Sequence, residues 1–123
     1  MNAMKKYFLF LLLIACGEKK SDAVLAAQDF DAKYKATENA IILDVRTPEE
    51  VAGGKIAQAE NIVWDDSFAD KLSTLEHKPI FVYCGSGIRS AKAAAVLREK
   101  GYADVYELDG GIKAWKAEGM PIE

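Results

Sequence analysis

Cysteine and histidine are scarce, two and one in 123 residues, so a dedicated zinc site lacks its usual complement of Cys and His ligands. Basic residues are not in excess either. Lys and Arg number 16 against 19 Asp and Glu, a formal charge of −3, which excludes the cationic footprint that nucleic-acid binding requires. No internal repeat or low-complexity tract appears, and the prolines number three. No apolar run approaches the roughly 20 residues that span a bilayer. What remains is an ordinary globular composition, half hydrophobic and 28% charged, on a length that suits one domain.

The first residues do not read as part of that domain. Lys5 and Lys6 precede an unbroken apolar run over residues 7–14, and a charged start before a short apolar core reads as a secretory signal. The run ends in Leu13-Ile14-Ala15-Cys16-Gly17, which resembles the lipobox of bacterial lipoproteins. That resemblance implies a signal peptide over 1–15, lipidation of Cys16, a polar tether over 16–23 and a domain over 24–123. It implies a bacterial cell envelope protein held to the membrane by the lipid on Cys16, facing the periplasm. Gly17 carries no inner-membrane retention signal of the Asp type, which leans towards the outer membrane. The alternative is a plain secreted protein with Cys16 free. If Cys16 carries lipid it cannot form a disulfide, and Cys84 is then the one free thiol.

Within the domain, strand and helix patterns alternate. Residues 23–35 have only weak periodicity, with a short helix starting near Gln28 or Asp29. Residues 40–45 form a mainly apolar run of strand length. Thr47-Pro48-Glu49-Glu50 then predicts a helix start, with Thr47 as N-cap, Pro48 at the first helical position and Glu50 closing a capping box. Gly53-Gly54 stops it. Asn61-Ile62-Val63-Trp64 predicts a short strand, and Asp65 or Asp66 a cap for the next helix, whose buried face carries Phe68 and Leu72. Ile80-Phe81-Val82-Tyr83 is apolar throughout, as in a central strand covered on both faces. A glycine-containing turn and an Ala-rich helix over about residues 90–100 follow, stopped by Gly101. Residues 105–108 predict another strand, and Gly110-Gly111 open a terminal helix. This alternation predicts an α/β domain with a mostly parallel sheet, in which ligands bind beyond the carboxyl ends of the strands.

Cys84 sits at such a strand end, in Tyr83-Cys84-Gly85-Ser86-Gly87-Ile88-Arg89-Ser90. Gly85 and Gly87 allow a tight loop whose N–H groups converge on one point. The following helix adds its unpaired N–H groups and the positive end of its dipole, and Arg89 offers a planar cation for an oxyanion. Such surroundings favour thiolate over thiol, so the Cys84 pKa is expected below the free value of about 8.5. The competing reading is a buried, inert Cys. His77, the single histidine, reads as a surface loop residue.

Together three segments resemble the rhodanese family: residues 42–50, reading Ile-Leu-Asp-Val-Arg-Thr-Pro-Glu-Glu; the loop from Cys84 to Ser90; and Gly110-Gly111-Ile112-Lys113-Ala114-Trp115. The resemblance implies a rhodanese-like fold, a mostly parallel central sheet flanked by helices on both faces. It makes Cys84 the sulfur-accepting residue, and Gly85, Ser86, Gly87, Ile88, Arg89 and Ser90 the loop that wraps a persulfide, with Arg89 its anion-binding arginine. Asp44 and Arg46 match positions that support the site through an ion pair, and Trp115 matches a core position. Four residues separate Cys84 from Arg89, as in the sulfurtransferases; the related dual-specificity phosphatases have one more. The chain departs from the family at Gly54-Lys55-Ile56-Ala57-Gln58-Ala59, which lacks a customary histidine and turn proline. It departs again at Gly85, where many relatives carry a larger, often basic, side chain.

The activity so implied is sulfur transfer through a Cys84 persulfide, from a thiosulfate-type or persulfide donor to a thiol, a cyanide-like acceptor or a protein acceptor. It needs neither metal nor organic cofactor. Two other readings stand beside it: a membrane-tethered binding module without catalysis, and a thiol redox protein.

Overall fold

The computed structural model describes residues 23–123; the signal peptide, Cys16 and nearly all of the tether expected from the sequence lie outside that range. The described chain builds five strands: β1 (Val24–Leu25), β2 (Ile41–Asp44), β3 (Glu60–Asn61), β4 (Ile80–Tyr83) and β5 (Val105–Leu108). Between and after them run α1 (Ala27–Ala36), α2 (Pro48–Ala52), α3 (Phe68–Lys71), α4 (Ile88–Glu99) and α5 (Gly111–Ala117), with a 3₁₀ turn at Leu72–Thr74. The sheet order is β1-β5-β4-β2-β3, and every pairing is parallel.

Alternation along the strands divides the core in two. Ile80 and Val82 of β4 point to one face, where α3 and α4 bring Phe68, Ala93, Ala94 and Leu97. Phe81 and Tyr83 point to the other, where α1 and α5 bring Phe30, Ile112 and Trp115. All four residues of β4 are buried, so the apolar run is the central strand covered on both sides. Cys84 continues the parity of Ile80 and Val82 into the first of these cores. The alanines of α4 let that helix lie close against the sheet.

Several local expectations change in detail. The weakly periodic segment forms a ten-residue helix, α1, whose Phe30 is fully buried with its ring edge-on to Phe81 at 5.4 Å. Burial of a few large side chains outweighs a poor overall pattern. The strand expected at 61–64 contracts to Glu60–Asn61. Beyond it, Ile62 and Trp64 still donate N–H bonds to Asp44 and Val45 carbonyls. The Asn61 amide, however, takes the carbonyls of Asp44 and Arg46 at 2.8 and 2.9 Å. Neither Asp65 nor Asp66 is the α3 N-cap, which is Ser67. Asp65 instead turns the chain one step earlier, accepting the Ser67 N–H at 2.9 Å. Helix α4 begins at Ile88, two residues before the expected start, so Arg89 and Ser90 belong to its first turn.

Candidate active site

Because neighbouring parallel strands end side by side, the carboxyl ends of β2 and β4 bring two distant segments together. From β4 comes the loop that starts at Cys84; from β2 come Asp44, Arg46 and helix α2. The thiol lies at the bottom of its loop, with Cys84 only 1% exposed. Gly87, the N-cap of α4, adopts φ +109°, a left-handed conformation open to glycine. This turns its N–H inward onto the Cys84 Sγ at 3.1 Å. Ser90 contributes twice, its N–H lying 3.3 Å and its Oγ 3.4 Å from the sulfur.

These contacts decide the protonation of the thiol. Burial pushes its pKa up, but bonds from the Ser90 side chain and from the backbone N–H groups of Ser90, Gly87 and Ser86 outweigh burial. The net shift is downward, towards thiolate. The Ser90 hydroxyl lies between two acceptors. With a protonated thiol, the S–H donates to Ser90 Oγ while the hydroxyl donates to the Gly87 carbonyl at 3.2 Å. When the proton leaves, rotation of the hydroxyl turns its hydrogen onto the sulfur.

The outer side of the loop is seated on α5. Ile112 donates its N–H to the Cys84 carbonyl at 2.9 Å, and Lys113 donates to the Gly85 carbonyl at 3.1 Å. Gly111 makes this approach possible, because a Cβ there would lie 2.4 Å from the Gly85 carbonyl oxygen. In the sequence Gly110-Gly111 reads as a helix start and as part of a family-like segment; the close approach of Gly111 to the loop is visible only in the structure.

Asp44 and Arg46 form a buried ion pair at 2.7 Å. The Asp44 carboxylate also accepts the Tyr83 hydroxyl, which in turn accepts the Ile56 N–H. Arg46 reaches on to the Glu50 carbonyl at 3.3 Å and the Gly54 carbonyl at 2.8 Å, tying down the carboxyl end of α2. Thr47 and Glu50 make the expected capping box at its other end. The pair therefore fixes α2 and takes no place beside the sulfur.

Arg89 differs most from its expected use. Its guanidinium is not directed at an open anion site: Nη1 and Nη2 donate to the two carboxylate oxygens of Glu50 at 2.8 and 3.0 Å. Arg89 and the Thr47 N–H hold the Glu50 carboxyl well below the usual range, at about 2. Gly85 passes beneath the pair; a Cβ there would lie 3.1 Å from Arg89 Nη2. Ser86 and Ile88 stand exposed at the crest, Ile88 at 67%. His77 is remote from the loop and stacks on Tyr102 at 4.0 Å. The capping pattern exposed Glu50 as a helix residue, yet nothing local in the sequence could link it to Arg89.

Known proteins resemble this chain over most of its described length. The model of a family described as the rhodanese-like domain matches residues 26–118. The uncharacterised protein YqhL of Bacillus subtilis is 30% identical over 109 residues, covering 89% of this chain and 84% of the relative. A protein of Allochromatium vinosum named sulfurtransferase is 37% identical over 96 residues, covering 78% of this chain and 90% of the relative. Among solved structures, a rhodanese-related protein from Thermoplasma volcanium superposes with a TM-score of 0.72 at 34% identity, covering 81% of this chain and 96% of that one.

Proposed function

The chain belongs to the rhodanese-like domain family, and from that premise we propose that it is a sulfurtransferase working through a persulfide on Cys84. The observation that carries this reading is the convergence of N–H donors on a buried sulfur. A ring of fixed donors stabilises the attacking thiolate and, one atom further out, the terminal sulfur of a persulfide.

The chemistry divides into two displacements. In the first, the Cys84 thiolate attacks the outer sulfur of a donor. The new S–S bond forms as the donor's own bond to that sulfur breaks, and the donor remainder leaves with the electron pair, as sulfite from thiosulfate or as a thiolate from an organic persulfide. In the second, a nucleophile such as cyanide or a thiol attacks the terminal sulfur, and the Cys84 thiolate is the leaving group. No external oxidant or reductant enters, and no metal or organic cofactor takes part. Asp44 and Arg46 act at one remove, by holding α2.

The test is intact-mass analysis of pre-reduced protein after exposure to thiosulfate and to a thiol persulfide, followed by thiocyanate release with cyanide. Gain of one sulfur atom at Cys84, lost on adding cyanide, is the expected result. Protein that gains no sulfur from either donor would refute enzymatic transfer and leave a binding or redox role. The lipobox-like segment supports a further proposal, that the mature protein is anchored in the bacterial envelope through Cys16. Metabolic labelling with a fatty acid should mark the wild type and not Cys16→Ser; labelling of both would end that proposal.

A further inference from the structure

Resting on the sulfurtransferase reading, we propose that Glu50 sets donor choice, reserving the site for thiol persulfides over dianionic thiosulfate by occupying both terminal nitrogens of Arg89. The first ground is geometric. The fork of Arg89 that would grip an oxyanion already holds a carboxylate in the bidentate arrangement that suits it best. An incoming dianion must either displace that carboxylate or use the remaining N–H groups of a guanidinium whose charge the carboxylate already offsets.

The second ground is how firmly Glu50 is held. Its Oε1 also accepts the Thr47 N–H at 3.0 Å and the Thr47 hydroxyl at 3.1 Å. Helix α2 is fixed at both ends, by the capping box and by Arg46, so the carboxylate cannot be withdrawn by a swing of its helix. Held at about 2, the carboxyl remains charged across the physiological range. Glu50 and Arg89 side chains are 38% and 34% exposed, so an approaching donor meets the pair directly.

The third ground is charge. With the Cys84 thiolate, the Arg89 cation and the Glu50 carboxylate, the mouth of the loop carries one net negative charge. Gly85 adds no cation, and the crest offers the uncharged Ser86 and the exposed apolar Ile88. Like-charge juxtaposition rejects a dianion more than a persulfide of low charge. In the favoured step, the Cys84 thiolate attacks the terminal sulfur of R–S–SH. The donor's S–S bond breaks, R–S⁻ departs with the electron pair, and the proton stays on the transferred sulfur as Cys84–S–SH.

The experiment compares kcat/KM of the full chain and its Glu50→Gln variant with thiosulfate and with cysteine persulfide, whose ammonium and carboxylate charges cancel. Gln keeps an oxygen for the Thr47 N–H but no charge for Arg89. The wild type should favour the persulfide, and Glu50→Gln should raise thiosulfate kcat/KM by about tenfold or more, through KM. The persulfide value should stay within about threefold. Inert sulfate should compete in the variant at concentrations that leave wild-type persulfide turnover unchanged, against chloride of equal ionic strength. Unchanged thiosulfate kinetics, or an equal fall with both donors, would overturn the proposal while leaving sulfur transfer intact. A wild type inert to both donors would instead strike at the underlying reading. Should Glu50→Gln misfold, the wild type alone decides: insensitivity to sulfate supports the proposal, and competitive inhibition overturns it.

Discussion

Replacement of Gly111 by alanine isolates the seat of the catalytic loop, because the molecule supplies its own control. Gly111 has φ +64° and Gly119 has φ +76°, so alanine suffers a similar backbone penalty of about 1–2 kcal/mol at either site. Their surroundings differ. At Gly119 an added Cβ meets nothing within 4 Å; at Gly111 it lies 2.4 Å from the Gly85 oxygen and 2.6 Å from the Cys84 oxygen. These are backbone atoms with no flexible side chain to yield. Merely reaching 3.0 Å requires a separation of at least about 0.6 Å, which weakens the Ile112 and Lys113 bonds to the loop. Each such bond contributes about 1 kcal/mol net. Gly111→Ala should therefore cost roughly 3–4 kcal/mol and Gly119→Ala roughly 1–2 kcal/mol.

At about 4–8 °C per kcal/mol for a domain of this size, the first variant should lose roughly 12–32 °C in Tm and the second roughly 4–16 °C. Calorimetry reads the stability, and cyanide-dependent thiocyanate release reads the loop. Displacement of the loop by a fraction of an ångström should lower kcat by about tenfold or more in Gly111→Ala, while Gly119→Ala keeps wild-type turnover. Equal Tm shifts with unchanged turnover would refute the claim that α5 seats the loop.

Ser90→Ala removes a hydroxyl that stabilises the thiolate, so the pH midpoint for alkylation of Cys84 by iodoacetamide should rise. Because the wild-type pKa is lowered, its midpoint should lie below that of an unperturbed thiol. The variant should therefore react more slowly at pH 7, where less of it is thiolate; an unmoved midpoint would remove Ser90 from the account. Arg46→Leu leaves the Asp44 carboxylate buried without its cation, and denaturant unfolding should show a loss of about 3–5 kcal/mol. A loss under about 1 kcal/mol would mean that water or Tyr83 supports Asp44 alone.

The features legible in the sequence were those written locally. Strand β4 showed in four consecutive apolar residues, and α2 in Thr47, Pro48 and Glu50, whose capping bonds span three positions. The end of α4 showed in Gly101. The thiol's placement at a strand end followed from the same local patterns. Strand order did not, because nothing in residues 41–44 or 80–83 says that they are neighbours. Everything depending on that neighbourhood stayed hidden, including the Glu50–Arg89 pair and the Asp44–Tyr83 bond. Helix α1 was faint because its anchoring rests on Phe30 and Ala27 rather than on a continuous apolar stripe. The close approach of Gly111 to Gly85 joins residues 26 positions apart, and a glycine pair alone cannot name its partner.

The central claim is that the buried Cys84 sulfur accepts and releases a sulfur atom. Intact-mass analysis of the pre-reduced chain, before and after a sulfane donor and again after cyanide, tests it most directly. The account predicts one added sulfur on Cys84, absent from a folded Cys84→Ser variant and removed as thiocyanate. Wild-type protein that stays at its reduced mass with every donor, or Cys84→Ser protein that gains the same sulfur, would contradict it.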